Sequence, residues 1–408
     1  PYIPEPLATF QDDAADPWEF IERHAAPPTG FPIEPFHPKL HHLYPQVSHA
    51  FGTATPSSST FLLHGATNCL QAKIERPVLL IHGANDDATR RYGYPLSPSH
   101  PEHSKQKGLA PYLAQRGFSV FGVSFSHYHG CNVHQGQQVA NAILRIRKLL
   151  QRENDEDFSV DLITYSKGAM AARCYVQSAR DFLFANHLTP YRNDVHRVIF
   201  QVGPLGGLDT PFRSYMYNLV CKSQEVPAPL GVKWQTIYAR KVDSGPDYID
   251  SGCWPGQLQM LHDLRKLGVD YGFSNWTLDA NWSMRALRDG GSTLFLESIG
   301  IEQARKRGFE LIERLNTRGF PEEVEFAVVA GDHPVLYHEG VHSFSMPIGV
   351  ELGARSDGLL FHSSATHTAG LARQGARCVG KRTFPLNHID VSRSDEVFAH
   401  ISDLLQRS

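Results

Sequence analysis

The strongest constraint on this chain is the uninterrupted apolar run Pro77-Val78-Leu79-Leu80-Ile81, which stops at His82-Gly83. A strand with no polar alternation is covered on both faces, and that is the signature of a parallel sheet. The pattern recurs. A helical stretch over 105–116 closes at Gly117, where a C-terminal glycine belongs, and Phe118-Ser-Val-Phe-Gly-Val-Ser-Phe125 reads as a second strand. Helical spacing of Val139, Ala142, Ile143, Ile146, Leu149 and Leu150 predicts a helix over 134–151. Val160-Asp-Leu-Ile163, Val195–202 and Val324–329 are further strands, with a helix expected over 167–186. Strands alternating with helices imply a mostly parallel central sheet with helices on both faces.

Two regions fall outside this rhythm. Residues 1–58 are rich in Pro and Ser and predict an extended N-terminal arm with one short helix near 18–24. The gap at about 211–320 is too long for an ordinary connection. It holds four of the five tryptophans, Trp234, Trp254, Trp276 and Trp282, and is expected to be a cap inserted on a domain spanning 59–408.

At 408 residues and 41% hydrophobic, the chain can bury a large core. A net charge of −3 gives no reason to expect nucleic acid or an anionic membrane as partner, and no apolar run reaches the ~18 residues of a spanning helix. The chain opens Pro-Tyr-Ile-Pro without Met or an apolar leader, from which a mature exported protein is expected. Six cysteines (Cys69, Cys131, Cys174, Cys221, Cys253, Cys378) form no CxxC motif. Export predicts one to three disulfides among them; buried thiols in a cytosolic enzyme are the alternative. The triplets Asn275-Trp-Thr277 and Asn281-Trp-Ser283 are glycosylation acceptors if the source glycosylates.

The chemistry centres on Thr164-Tyr165-Ser166-Lys167-Gly168, between a strand and a helix. A serine on such a sharp turn is held in a strained conformation that exposes its hydroxyl as a nucleophile. Small residues on either side let helix and strand cross closely; Gly168 satisfies this, and Thr164 stands where the common form has glycine. Oxyanion donors are expected from the amides of Lys167 and of Ala84, in the turn His82-Gly83-Ala84. Leu63-His64-Gly65-Ala66 reads almost alike, but the later copy has a helix and a strand following at the right distances, so His64-Gly65 is expected to be a plain turn.

An acid and then a histidine should follow the serine. His388, in Asn387-His-Ile-Asp390, stands between a strand-like stretch at 382–386 and a terminal helix at 394–406. Two carboxylates compete for the acid: Asp357, in a polar turn, is preferred over Asp332, which directly follows the 324–329 strand.

These stretches, with Val202-Gly-Pro-Leu-Gly-Gly-Leu-Asp-Thr210 and Ser356-Asp-Gly-Leu-Leu360, resemble the secreted bacterial true lipases typified by Burkholderia and Pseudomonas and related extracellular polyester depolymerases. They cover about a tenth of the chain, in the family's order. The resemblance implies an α/β-hydrolase fold with a Ser166–His388–Asp357 triad. It also implies a structural calcium in some members, for which Asp390 and Asp332 match, although Arg393 is an awkward neighbour; otherwise Asp390 caps a helix. His127, His129, Cys131 and His134, and likewise His333, His338 and His342, lack a recognised zinc spacing and are expected to be polar loop residues near the cleft. No cofactor is needed for the expected reaction, and the cap tryptophans either line an acyl site or pack the cap. Three functions are compatible with these residues: an ester hydrolase (of lipids, polyesters or smaller esters), an acyltransferase with the same site, or an inactive hydrolase fold used for binding.

Overall fold

The computed structural model describes residues 5–25, 45–53, 56–84, 86–94, 107–127, 129–179, 189–212, 255–269, 282–292, 297–337, 347–348 and 354–407. Its frame is a nine-stranded sheet. In chain order the strands are β1 (Ala8–Gln11), β2 (Phe20–Ala25), β3 (Thr60–Gly65), β4 (Ile74–Ile81), β5 (Phe118–Phe125), β6 (Val160–Tyr165), β7 (Val195–Gln201), β8 (Glu325–Gly331) and β9 (Cys378–Phe384). They lie side by side as β1-β2-β3-β5-β4-β6-β7-β8-β9. All neighbours from β5 to β9 are parallel, and β1, β2 and β3 are added antiparallel at one edge. The five strands read from apolar runs are all present, and the strand-like stretch near 382–386 belongs to β9.

Among the described residues the α-helices longer than one turn are α1 (Pro45–Phe51), α2 (Leu109–Ala114), α3 (Asn132–Leu149), α4 (Gly168–Val176), α5 (Trp282–Asp289), α6 (Ile301–Arg307), α7 (Leu311–Arg318) and α8 (Asp395–Gln406). Val139, Ala142, Ile143 and Ile146 of α3 and Ala169, Ala171 and Ala172 of α4 pack on one sheet face. Val47 and Phe51 of α1, Leu109 and Leu113 of α2, and Phe398, Ile401 and Leu404 of α8 cover the other. Helix α8 starts with Asp395 and Glu396, whose charge suits the positive end of the helix dipole.

The N-terminal region departs from expectation. Residues 8–11 and 20–25 are strands of the sheet, and the helix expected near 18–24 is β2. Polar letters disguised that strand: Glu22 and His24 are buried, with Glu22 bound by both Arg145 and His24, and His24 stacked on Phe61. His64-Gly65 is likewise the end of β3 and not a turn. His64 Nε2 bonds Ser124 Oγ at 2.8 Å, and a Cβ at Gly65 would fall 2.3 Å from the Phe20 ring.

Between β7 and β8, helices α5, α6 and α7 and the stretch 255–269 share an apolar cluster with Cys131, Met170, Cys174 and Leu208. Cys69, Cys131, Cys174 and Cys378 carry thiols, so the expected disulfides do not occur among the described residues; Cys221 and Cys253 lie outside them. Within the described residues no helix is long and apolar enough to cross a membrane.

Candidate active site

Strand β6 ends at Tyr165 and α4 begins at Gly168, so Ser166 and Lys167 alone make the turn. Ser166 has φ of +49°, in the left-handed region that costs a non-glycine residue about 1–3 kcal/mol. Its neighbours enforce it: the Ser166 amide donates to the Gln201 carbonyl at 2.9 Å, and its carbonyl accepts from Ala169 at 3.0 Å. The close crossing behind the turn explains Gly168, where a Cβ would stand 2.5 Å from the carbonyl oxygens of both Ile81 and His82. Thr164 is wholly buried in β6, its hydroxyl directed at the Ile199 carbonyl 3.5 Å away, and the turn forms without glycine there.

Ser166 Oγ is 3.0 Å from His388 Nε2, and His388 Nδ1 is 2.8 Å from Asp357 Oδ2. A carboxylate can only accept at neutral pH, so Nδ1 carries the proton and Nε2 is free to receive one from the serine. The other carboxylate oxygen of Asp357 accepts from the amides of Leu359 (3.0 Å) and Leu360 (2.7 Å). Asp357 and His388 are buried, whereas Ser166 keeps partial exposure. Asp332, the competing acid, is bound by Arg355 at 2.6 Å.

The loop after β4 lies against the nucleophile. A Cβ on Gly83, the residue before Ala84, would be 3.0 Å from the Ser166 Cβ and from the Tyr165 carbonyl. His82 orders this loop: its Nδ1 bonds the Gly83 carbonyl at 2.8 Å while Nε2 accepts the Phe125 amide at 3.1 Å. The sequence by itself marks His82 only as the residue where the strand stops, and its two bonds leave no signal in neighbouring letters.

This strand order, with a strained serine after a central parallel strand, an acid after β8 and a histidine after β9, decides the fold.

The chain has the α/β-hydrolase fold.

Residues 75–192 of the chain match the family model for lipase (class 2). That span runs from β4 through α4 and contains Ala84 and Ser166. The match likens this span to class 2 lipases without singling out the Burkholderia and Pseudomonas group. Among solved structures it is similar to a Bacillus licheniformis lipase in mature form (14% identity, 81% of this chain and 91% of that one, TM-score 0.38). A highly thermostable carboxyl esterase from Bacillus coagulans is also similar (12% identity, 85% and 93% covered, TM-score 0.39). No curated protein matches the chain.

Lys167 lies against the stretch 255–269. The lysine is buried, Nζ donates to Gln135 Oε1, and a Cβ on Gly256 would lie 2.4 Å from its Cε. Asn132 Nδ2 donates to the Gly256 carbonyl (2.8 Å), Gln257 bonds His129 (2.8 Å) and Gln259 Nε2 donates to Cys131 Sγ (3.0 Å). His129 and Cys131 are therefore part of this polar seam. Burial pushes His134 down to about 4, and burial with His127, Lys167 and His82 nearby holds His129 well below the usual range. Among the described residues no group of three metal-ligating side chains gathers. Asp390 accepts from Asn387 Nδ2 at 2.7 Å, and with Asp332 bound to Arg355 the two carboxylates suggested for calcium are both engaged by protein donors. Trp234, Trp254 and Trp276, with His338 and His342, lie outside the described residues, and Trp282 opens α5.

Proposed function

We propose that this hydrolase cleaves carboxylic esters through a Ser166–His388–Asp357 triad and an acyl-enzyme. The observation that carries the reading is the unbroken chain from Ser166 Oγ to His388 (3.0 Å) and on to Asp357 (2.8 Å), starting from a serine in a strained turn. Ser166 Oγ attacks the ester carbonyl carbon as His388 Nε2 takes its proton. The amides of Ala84 and Lys167 bind the oxygen that becomes negative. Collapse breaks the C–O bond, and the departing alcohol receives the proton from His388. Water then attacks the acyl-enzyme with the same imidazole as base, releasing the acid and returning the proton to Ser166. Asp357 keeps the imidazole in the right tautomer and stabilises its cation. No step calls for a metal or cofactor.

The test combines a fluorophosphonate probe with p-nitrophenyl esters of short to long acyl chain and a polyester film. Labelling and turnover of at least one ester are expected in the wild type, with both abolished in Ser166→Ala. A wild-type protein inert to the probe and to every ester overturns the reading.

A further inference from the structure

Behind the triad, Arg91 reaches three separated loops at once. It is buried in the turn Thr89–Gly93, beyond the loop that carries Ala84. Its Nε donates to Asp86, two residues past Ala84 and fully buried in its side chain. Its Nη1 donates to Ser392, whose hydroxyl in turn donates to the Ile389 carbonyl at 2.8 Å, next to His388. Its guanidinium carbon lies 3.9 Å from the centre of the Tyr165 ring. Tyr165 precedes the nucleophile, donates its hydroxyl to the His388 carbonyl at 2.7 Å, and sets its ring 5.3 Å from the imidazole.

We infer that Arg91 is a positioning residue for ester cleavage, bracing the oxyanion loop, the serine turn and the histidine loop against one another through Asp86, Tyr165 and Ser392. The planar guanidinium suits this role, because it presents donors in two directions within its plane and a flat face to the tyrosine, which an ammonium cannot do. Asp86 neutralises the buried cation, so the brace is stable only while both members are present. Ala84, Ser166 and His388 belong to different loops, and small relative displacements of such groups cost rate far more than binding. None of this touches substrate; Arg91 acts through the loops it holds.

The inference rests on the ester-hydrolase reading, and the experiment keeps the two apart. Wild type and Ser166→Ala first establish turnover and its dependence on the serine. Arg91→Ala, Arg91→Lys and Tyr165→Phe are then compared, with thermal melting and circular dichroism to verify folding. In folded Arg91→Ala, kcat is expected to fall about 10- to 100-fold with KM within about twofold. Millimolar guanidinium ion should restore much of the lost kcat, while the same concentration of ammonium should not. Arg91→Lys should remain close to Arg91→Ala, and Tyr165→Phe, which keeps the ring but loses the bond to His388, should fall between wild type and Arg91→Ala. Should Arg91→Ala fail to fold, Tyr165→Phe and Ser392→Ala carry the test, each with a lower kcat at unchanged KM. A folded Arg91→Ala with wild-type kcat, or a loss that guanidinium does not reverse and that only tracks the unfolded fraction, overturns the inference while leaving the Ser166 reading intact.

Discussion

Asp357 and His388 are joined twice, once through the side chains and once through the backbone. Carboxylate and imidazole meet at 2.8 Å, and the His388 amide donates to the Asp357 carbonyl, also at 2.8 Å. The second bond holds the two loops in register whatever the carboxyl group does.

That separation of roles predicts the behaviour of the acid. Asp357→Asn should remain folded, because the backbone bond survives, yet lose about 10⁴ in kcat as the imidazole adopts the wrong tautomer. Asp332→Asn, which breaks only the pairing with Arg355, should keep activity within about twofold, since exposed pairs contribute about 0–1 kcal/mol. Initial rates on one ester for both variants check this, and the reverse ranking would exchange the two roles.

The turn itself predicts opposite outcomes at its two ends. Gly168→Ala puts a methyl 2.5 Å from two carbonyl oxygens in a backbone crossing that has no slack. It should abolish probe labelling at Ser166 or prevent folding. Thr164→Gly removes a buried side chain and loosens a strand, at a cost of about 1–2 kcal/mol, but leaves labelling intact. Labelling and melting temperature, measured on both proteins, separate the cases.

His82 offers a test of the oxyanion loop that leaves the triad alone. In His82→Leu the Gly83 carbonyl loses its donor and the buried Phe125 amide its acceptor. An abandoned buried group costs about 1–3 kcal/mol, so the melting temperature should drop. With the loop no longer held, kcat should fall toward the roughly 10²–10³ loss typical of a missing oxyanion donor. Unchanged kcat in a stable variant would show that the loop is ordered without His82.

The first strands supply a pH dependence of stability. Burial alone would raise the Glu22 carboxyl, but hydrogen bonds from Arg145 and His24 outweigh it and bring it down to about 2 from an ordinary 4.5. A carboxyl whose folded value is depressed stabilises the fold above its unfolded value and loses that contribution as pH falls through the folded one. The advantage of wild type over Glu22→Gln should therefore be constant above about pH 5 and shrink between about 4.5 and 2, from an upper figure of about 3 kcal/mol. Denaturant melts across that range measure it; a difference insensitive to pH would mean that Glu22 is not ionised in the fold.

Much of the frame was legible because parallel strands announce themselves. The runs at Pro77–Ile81, Phe118–Phe125 and Val160–Ile163 are buried on both faces, so their letters are mostly apolar, with Ser119, Ser124 and Asp161 as the polar exceptions. Strands β1 to β3 lacked that mark. They form an antiparallel edge, and β2 carries Glu22 and His24, which are tolerable inside only because Arg145 of α3 reaches across to them. A partner 123 residues away leaves no local trace.

Sequence order alone carried Ser166, since a serine between a β-run and a small-residue helix has one geometry open to it, and it narrowed the base to His388 on the last loop. Tertiary structure decided the rest of the constellation. It turned Asp357 toward the imidazole and Asp332 toward Arg355, and set Gly83 against the serine. It also gathered Asp86, Tyr165 and Ser392 around Arg91. The physical reason is one of range. Periodicity and turn chemistry act over a few residues and are written in neighbouring letters. A buried charge is satisfied by whatever the fold brings within about 3 Å, and Arg91 finds Ser392 301 residues further along the chain.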